Sequence, residues 1–369
     1  MYLKKLKVLV VDDTIVYRKA VSDILSELPS VEVVGVAHNG KIAMSKIKTL
    51  KPDLLTLDIE MPEMNGIEVL EELQKNTPEV SAIMVSTLTS EGGEMTMKAL
   101  ELGAFDFILK PNTTNIESSK KVLRDLLFPI IKAFQNSRFN IGGAGRAEPT
   151  PKPAPASIAK PSPVQRTPIP SRSISRSKSE IVTIGISTGG PNALGRMLPQ
   201  LPGDLGVPIV IVQHMPPIFT QSLANSLNSK CALTVKEGEN GEPISDNTVY
   251  IAPGGKHMKL IASADGKNRV IKITNDPPEN SCKPSADYLF RSVADYYVGR
   301  ATAVIMTGMG SDGTKGLELL KQKGAYIVAQ DEKTCTVFGM PKVPIEKGLV
   351  DTIAPLSNIA AEIIKSVKK

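Results

Sequence analysis

Short runs of β-branched and aliphatic residues alternate with helical patterns in two separate parts of this chain. In the first part, the predicted strands cover residues 7–11, 31–36, 54–58, 82–86 and 105–109. Between them, apolar residues recur at three- and four-residue spacing, which indicates amphipathic helices. Alternation of this kind predicts a parallel sheet with helices on both faces. We therefore expect residues 1–135 to form an α/β domain with a five-stranded parallel sheet.

The alternation stops between residues 136 and 179, where Pro, Ser, Ala, Lys and Arg dominate. Residues 146–180 hold seven Lys or Arg against two Asp or Glu, so five of the six net positive charges lie there. Too few large apolar residues are present to offset the entropy lost on folding, which predicts a solvated linker. Because the remaining chain is nearly neutral, we do not expect a nucleic-acid-binding face.

From residue 181 onward the strand and helix patterns return. Predicted strands cover residues 181–186, 209–212, 233–236, 249–251, 270–273, 303–306, 326–329 and 349–353. Predicted helices cover residues 193–198, 217–227, 286–297, 314–323 and 356–367. Residues 258–261 and 268–273 are expected to pair as an antiparallel hairpin. We therefore predict a second α/β domain over residues 180–369, with a doubly wound, Rossmann-like sheet.

The cysteines and the hydropathy pattern predict the cellular compartment of this protein. The three cysteines, Cys231, Cys282 and Cys335, show neither a disulfide framework nor metal-ligand spacing. The apolar run at residues 8–11 is too short for the core of a signal peptide, and no segment has the length of a membrane span. We expect a cytoplasmic protein with reduced thiols and no membrane insertion.

Charged residues follow three predicted strands of the first domain. Asp12 and Asp13 come after the first strand, Asp58 ends the third, and Lys110 follows the fifth. The carboxyl ends of parallel strands meet at one edge. Three clustered carboxylates need a cation, and oxygen ligands suit Mg²⁺. Asp58 would then be a nucleophile that forms an aspartyl phosphate, with Lys110 and the Ser86 hydroxyl contacting the phosphoryl oxygens.

A simpler interpretation exists for Asp12 and Asp13, because aspartate is a favoured N-cap residue. On this interpretation the pair only starts the first helix. It stays open for these two residues, but it does not explain Asp58 and Lys110 at two further strand ends.

The motifs around these residues resemble those of response-regulator receiver domains. They are Val10-Val11-Asp12-Asp13, the stretch from Asp53 through Asp58 to Gly66, Val85-Ser86-Thr87, and Phe107-Ile108-Leu109-Lys110-Pro111. The resemblance implies a flavodoxin-like fold and phosphorylation of Asp58 by a histidine kinase. It also implies Mg²⁺ bound by Asp12, Asp13, Asp58 and the carbonyl of Glu60. Phe107 stands where such domains often carry a switching aromatic residue, although it could equally be a core residue.

A serine, a histidine and an aspartate each follow a predicted strand of the second domain. Ser187 lies in a Gly-x-Ser-x-Gly turn between strand and helix, which is typical of a nucleophile elbow. His214 and Asp312 supply the base and the carboxylate that a nucleophilic serine requires. Alone, each has an ordinary explanation: a glycine turn for phosphate, a loop histidine or an N-cap aspartate. Together they predict a serine hydrolase, whose Ser-His-Asp order differs from that of α/β-hydrolases.

Two other classes of function stay open on the residues alone. Gly308, Gly310 and Gly313 form a G-x-G-x-x-G pattern after a strand, and Asp331 follows the next strand, as in dinucleotide-binding sites. Against a nucleotide, Asp312 lies inside that loop, where it would repel a pyrophosphate. The third class is a non-enzymatic binding module controlled by the first domain.

The second domain resembles the CheB family of chemotaxis methylesterases. The motifs are Ile184-Gly185-Ile186-Ser187-Thr188-Gly189-Gly190-Pro191, Gln213-His214-Met215-Pro216, Tyr250 to His257, Lys283-Pro284-Ser285-Ala286-Asp287, Thr307 to Gly313, and Gly339-Met340-Pro341-Lys342. The resemblance implies hydrolysis of glutamyl methyl esters on chemoreceptors, deamidation of receptor glutamines, and a chemotaxis histidine kinase as phosphodonor.

The hydrolase hypothesis assigns a role to each residue of the esterase site. Catalysis would use Ser187, His214 and Asp312 without a cofactor, and the backbone N–H groups of Thr188 and Met309 would form the oxyanion hole. One departure is Ile186, where the family commonly has a small residue. A larger side chain there is expected to crowd the turn.

Overall fold

The computed structural model describes residues 4–87, 89–111, 116–139, 177–266 and 268–368. These residues form two α/β units. The first contains five strands in the order β2-β1-β3-β4-β5, and every neighbouring pair is parallel. The strands are β1 (Leu6–Val11), β2 (Val31–Ala37), β3 (Leu54–Asp58), β4 (Ser81–Ser86) and β5 (Asp106–Leu109). The prediction of a five-stranded parallel sheet is confirmed.

Five helices cover the two faces of this sheet: α1 (Ile15–Ser26), α2 (Gly40–Leu50), α3 (Gly66–Asn76), α4 (Ser90–Glu101) and α5 (Ile116–Phe139). Helix α5 runs past residue 135, where we expected the domain to end. Its buried face, which includes Leu123, Leu127 and Ile131, packs on the sheet, and its exposed last turn contacts the domain through Arg138, which donates to the Glu79 carbonyl at 2.6 Å. Residues 140–176, most of the predicted linker, lie outside the described residues.

The second unit is built on a seven-stranded sheet in the order β14-β13-β12-β6-β7-β9-β8, with all neighbours parallel. Its strands are β6 (Ile181–Ile186), β7 (Ile209–Gln213), β8 (Thr234–Glu237), β9 (Thr248–Ile251), β12 (Ala301–Ile305), β13 (Tyr326–Gln330) and β14 (Thr352–Ala354). Strands β10 (His257–Ala262) and β11 (Arg269–Thr274) form the predicted antiparallel hairpin. The doubly wound fold class is confirmed.

Its helices are α6 (Gly190–Met197), α7 (Phe219–Asn228), α8 (Ala286–Tyr296), α9 (Thr314–Gln322), α10 (Lys342–Glu346) and α11 (Leu356–Lys368). Strand β6 lies between β7 and β12. After β6 the chain first builds the β7 side of the sheet and later the β12 side. Crevices for ligands form outside the carboxyl ends of strands at such a switch point. Ser187 follows β6, His214 follows β7 and Asp312 follows β12, so the three residues lie at the ends of three adjacent strands.

A buried polar cluster closes the opposite, amino-terminal edge of this sheet. The hydroxyl of Ser179 lies 2.7 Å from that of Thr302, which donates to the Ser366 hydroxyl at 2.7 Å. The Ser179 N–H also donates to the Ser366 carbonyl at 3.1 Å. Ser179, which we expected to belong to the linker, is therefore a buried part of the second unit.

The two units contact each other through α4 and β5 of the first and α6 and α7 of the second. Phe107 of β5 stacks on Phe219 of α7, with ring centroids 4.7 Å apart. At the rim, Glu101 pairs with Lys230 and accepts a hydrogen bond from Ser226. We call this contact the interdomain face. In the described part of the chain, no helix combines the length and apolarity needed to cross a membrane.

Candidate active site

Ser187 stands on a turn that is fixed from both sides by neighbouring strands. Its N–H donates to the Thr307 carbonyl at 2.9 Å, and its own carbonyl accepts from the Gln213 side chain at 3.0 Å. The turn closes when Gly190 N–H donates to the Ser187 carbonyl at 2.7 Å. These bonds hold the backbone of Ser187 at the mouth of the crevice.

Close packing explains the glycines around the serine. A Cβ atom at Gly308 would lie 2.7 Å from the Cβ of Ser187, and one at Gly190 would lie 1.9 Å from Oε1 of Gln213. Both distances are shorter than any real contact, so these positions require glycine. Ile186, the departure noted above, is fully buried in the core, where its side chain lies next to Gly190.

His214 and Asp312 form a direct pair across the crevice. The imidazole Nε2 lies 2.8 Å from Oδ2 of Asp312. His214 follows β7, and its N–H donates to the Ile186 carbonyl at 3.1 Å, which aligns the two strand ends. The structure therefore brings together the two residues that we predicted as base and orienting carboxylate.

Asp312 is anchored by several donors besides the histidine. Oδ1 accepts hydrogen bonds from Asn280 and Ser285, each at 2.8 Å, and Oδ2 accepts one from the Ala286 N–H at 2.6 Å. Burial alone would raise the pKa of Asp312, but the hydrogen bond and charge of His214, with Asn280 and Ala286, lower it to about 2. The carboxylate also faces the N-terminus of α8, whose dipole favours a negative charge. Asp312 is therefore ionised at any physiological pH.

The second nitrogen of His214 faces a thiol. Nδ1 lies 3.6 Å from the Sγ atom of Cys282. Burial acts to lower the pKa of His214, but the hydrogen bonds to Asp312 and Cys282 outweigh it and raise the pKa to about 9. In this conformation the imidazole is charged at neutral pH.

Ser187 is near this pair but not hydrogen-bonded to it. Among the described residues, no hydrogen bond joins the Ser187 hydroxyl to His214. The backbone N–H groups of Thr188 and Met309 likewise have no acceptor within the described chain. Free N–H groups at this turn can receive the oxygen of a bound carbonyl.

In the first unit, Lys110 neutralises the acidic cluster. Its ammonium lies 2.7 Å from Oδ2 of Asp58 and 3.0 Å from Oδ2 of Asp12. Burial raises the pKa of Asp58 to about 6, although Lys110 opposes the shift. The pKa of Asp12 is also raised, chiefly by burial. The cluster thus holds more negative charge than one lysine satisfies.

Two observations fit a divalent cation at this cluster. Ligand oxygens of Asp12, Asp13 and Asp58 all lie within 4.8 Å of one another. Oδ2 of Asp12 is buried and makes no hydrogen bond of good geometry, despite the nearby ammonium. A buried carboxylate oxygen that is paired in charge but makes no well-formed hydrogen bond is a suitable ligand for a hard cation.

The structure specifies the surroundings of three features of this domain that the sequence left open. Ser86 does not face Asp58 with a free hydroxyl, because it accepts from Thr96 at 2.9 Å and points toward α4. The N-cap of α1 is Thr14 rather than Asp12 or Asp13, which removes the capping explanation for the pair. Phe107 lies in the interdomain face rather than in the core of its own domain.

Comparisons with known proteins find a matching family for each of the two domains. A model of the CheB methylesterase family matches residues 182–363, and a response regulator receiver model matches residues 8–119. A relative from Desulfotalea psychrophila, named protein-glutamate methylesterase/protein-glutamine glutaminase, is 59% identical and covers 99% of this chain and 100% of its own length. The chain belongs to the CheB methylesterase family.

A Bacillus subtilis relative of the same name is 42% identical over 372 residues, covering 99% of each chain. The crystal structure of the Thermotoga maritima CheB methylesterase catalytic domain shares 43% identity, covering 51% of this chain and 99% of that chain, with a TM-score of 0.49. The two resemblances drawn from the sequence motifs, to CheB methylesterases and to receiver domains, are confirmed.

CheB membership and the geometry together argue against a dinucleotide site. Asp312 fills the glycine loop and is committed to His214, so a pyrophosphate would meet a buried negative charge. Asp331, the candidate ribose ligand, instead accepts from the N–H of Thr334 at 3.0 Å. Of the three glycines, Gly308 packs against Ser187, whereas Gly310 and Gly313 have positive φ angles of 83° and 92°, which favour glycine.

Sequence reasoning missed Asn280, Cys282 and Ser285 in this CheB site. All three come from the segment between β11 and α8, which loops back over the crevice. Ser285 carried a signal that could have been used, because it is the N-cap of α8 and its side chain accepts from the Tyr288 N–H. For Asn280 and Cys282 no local pattern was available.

Proposed function

We propose that this chain hydrolyses methyl esters of glutamate side chains on chemoreceptors, under control of phosphorylation at Asp58. The observation that carries the proposal is the 2.8 Å His214–Asp312 pair beside a rigid serine turn. The names of the relatives supply the substrate class, since they are protein-glutamate methylesterases. Chemoreceptors are the substrate, and a chemotaxis histidine kinase is the phosphodonor.

In the proposed reaction, Ser187 Oγ attacks the ester carbonyl and His214 accepts the serine proton. Since Nε2 is committed to Asp312, Nδ1 is the nitrogen that exchanges protons. Asp312 stays ionised and stabilises the imidazolium. The oxyanion accepts hydrogen bonds from the N–H groups of Thr188 and Met309. Each of these bonds accelerates the reaction by about two to three orders of magnitude. Methanol leaves with the proton of His214, and water then hydrolyses the acyl-enzyme to free glutamate.

This reaction requires a rearrangement of the resting site. Nδ1 of His214 now faces Cys282, so it must turn toward Ser187 when the substrate binds. Catalytic hydrogen bonds are often formed only in the substrate complex. The same acyl-enzyme forms from a glutamine side chain when ammonia leaves instead of methanol, and we extend the proposal to deamidation on that ground.

The proposed phosphorylation site uses Asp58 as the phosphoacceptor. Asp12, Asp13 and Asp58, with the Glu60 carbonyl, would hold Mg²⁺, which when bound supplies the positive charge that a phosphoryl group needs. Lys110 would leave the Asp58 carboxylate and pair with a phosphoryl oxygen. The Ser86 hydroxyl would have to turn away from Thr96 to make the same contact.

We propose that the interdomain face keeps the unphosphorylated enzyme closed. Phe107 follows Asp106. Burial raises the pKa of Asp106 to about 6, and Thr188, the residue after Ser187, is close enough to oppose this shift. The receiver thus lies against the serine turn itself. Phosphorylation of Asp58 would shift the population toward an open form by changing α4 and β5.

Methanol release from methylated chemoreceptor tests the function directly. We expect the full chain with Mg²⁺ and a small acyl phosphate to release methanol about tenfold faster than without the phosphodonor. Asp58→Asn should keep the basal rate and lose the stimulation, because the acceptor is gone. Absence of methanol release from the phosphorylated wild type would contradict the proposed activity.

A wedge in the interdomain face should activate the enzyme without phosphorylation. A Cβ atom at Gly93 of α4 would lie 2.8 Å from Oγ of Ser222 on α7. We therefore expect Gly93→Leu, in the Asp58→Asn background, to raise basal methanol release about tenfold, since overpacking costs about 1–3 kcal/mol. Gly195→Ala is the control, because a Cβ there meets nothing within 4 Å. An unchanged rate in a folded Gly93→Leu protein would argue against closure through this face.

A further inference from the structure

Cys282 stands in the crevice without a role in the proposed reaction. Its thiol is partly exposed and lies 3.6 Å from Nδ1 of His214. The ligand atoms of Cys282, His214 and Asp312 all lie within 4.8 Å of one another. Among the described residues, the only other group of this kind is the receiver cluster of Asp12, Asp13 and Asp58.

The spacing of sulfur and nitrogen suits a thiophilic metal ion. Zinc bonds to thiolate sulfur at about 2.3 Å and to imidazole nitrogen at about 2.0 Å, so in tetrahedral geometry the two ligand atoms lie about 3.5 Å apart. The 3.6 Å observed between Sγ and Nδ1 matches that separation. One ion can therefore bridge the two side chains with little movement of either.

The other nitrogen of the imidazole is arranged as in metal-ligating histidines. Such histidines usually give their second ring N–H to a carboxylate, which fixes the ring and makes the ligating nitrogen more basic. Here Nε2 is 2.8 Å from Asp312, whose own position is fixed by Asn280 and Ser285. The carboxylate–histidine half of a zinc site is thus already assembled.

The backbone holds the thiol in place. Cys282 N–H donates to the Glu279 carbonyl at 2.8 Å, and Glu279 N–H donates back at 3.1 Å. The next residue, Lys283, accepts from Gly255 N–H at 3.1 Å. Glu279 is itself anchored by two hydrogen bonds of 2.6 Å from Arg291. The Cys282 segment is therefore tied on both sides.

We propose that Cys282 and His214 form an inhibitory binding site for a thiophilic divalent cation, with Zn²⁺ as the probe. On binding, the Zn–S and Zn–N bonds form, and the thiol proton and any proton on Nδ1 pass to solvent. No electron is transferred. The remaining coordination positions are filled by water. An occupied Nδ1 cannot accept the serine proton, so hydrolysis stops.

The inhibition of hydrolysis by Zn²⁺ rests on the proposed function, whereas Zn²⁺ binding does not. Binding and inhibition are therefore measured separately. The full chain is titrated with ZnCl₂ in competition with a chromophoric chelator, in a buffer that contains no thiol and no other chelator and has excess Mg²⁺ for the receiver cluster. Co²⁺ is titrated in parallel, because a thiolate ligand gives a charge-transfer band. We expect one tight Zn²⁺ per chain, a Co²⁺–thiolate band and loss of methanol release at the same stoichiometry.

Two variants locate the site. Cys282→Ser should remove the Co²⁺–thiolate band and weaken Zn²⁺ binding at least tenfold. Asp312→Asn should keep the band and weaken binding about 10- to 100-fold, because the orienting carboxylate is lost. Cys335→Ser is the matched control, since the pKa of that thiol is raised to about 12 by burial and by Asp331 and Glu332, which disfavours the thiolate.

Binding and activity give separable outcomes. Equal Zn²⁺ affinity in the wild type and in Cys282→Ser, or loss of the Co²⁺ band in Cys335→Ser, would overturn the site. Tight binding that depends on Cys282 while methanol release continues would overturn the inhibition. A chain that binds Zn²⁺ through Cys282 but never releases methanol would refute the proposed function and leave the metal site standing.

Discussion

Replacing Ser187 by alanine should lower the rate of methanol release by about four to six orders of magnitude. Without the hydroxyl, no acyl-enzyme forms, and only substrate binding and the N–H groups of Thr188 and Met309 continue to act. The affinity for methylated receptor should change little, because the backbone bonds of the turn do not involve the side chain. Ser357→Ala, at an exposed serine of α11, is the matched control.

The Ser187→Ala measurement also decides which nucleophile His214 serves. The resting structure places Cys282, rather than Ser187, at Nδ1 of the imidazole. If Ser187→Ala kept substantial activity and alkylation of thiols removed it, Cys282 would be the nucleophile. We expect the opposite: Ser187→Ala is inactive, and a serine-directed phosphonate labels the wild type but not the variant.

Asp312→Asn should reduce kcat by about four orders of magnitude. An asparagine has one oxygen and one NH₂ group, whereas the carboxylate now accepts from His214, Asn280, Ser285 and the Ala286 N–H. At least one of these donors would then face the NH₂ group, and the imidazole would lose its fixed orientation. A decrease smaller than tenfold would show that Asp312 does not orient the base.

The same variant should change how the rate depends on pH. His214 must be neutral to accept a proton, so activity is lost as pH falls through its pKa. In the wild type the hydrogen bonds to Asp312 and Cys282 raise that pKa to about 9. Removing the carboxylate should lower it, so the residual activity of Asp312→Asn should persist to lower pH. The measurement is kcat/KM against pH for both proteins.

The parts of the molecule that depend on local patterns were predictable from the sequence. Strand ends follow from β-branched runs, and the parallel order then brings Asp58 close to Lys110, and His214 close to Asp312. The family was also recognisable, because its motifs are contiguous. The first domain was predicted to end at residue 135, whereas α5 continues to Phe139, because the contact of Arg138 with the Glu79 carbonyl is a tertiary contact that the local composition does not reveal.

What the sequence could not supply depends on tertiary packing. Asn280 and Cys282 reach the crevice because the segment after the hairpin folds back over it, and no periodicity encodes that path. The direction of the Ser86 hydroxyl is set by Thr96 on a different element. The sequence left Phe107 as either a switching aromatic or a core residue, since an aromatic residue at a strand end gives no sign of which surface it contacts.

The hydroxyl cluster at the amino edge of the second sheet defines where that half of the molecule can be cut. A shortened chain that starts at residue 177 keeps Ser179 and its bonds to Thr302 and Ser366. One that starts at Ile181 leaves the Ser366 carbonyl without the Ser179 N–H, at a cost of about 1–3 kcal/mol, whereas the Thr302 hydroxyl loses Ser179 but keeps its bond to the Ser366 hydroxyl. The second unit therefore begins before Ser179 rather than at the first residue of β6.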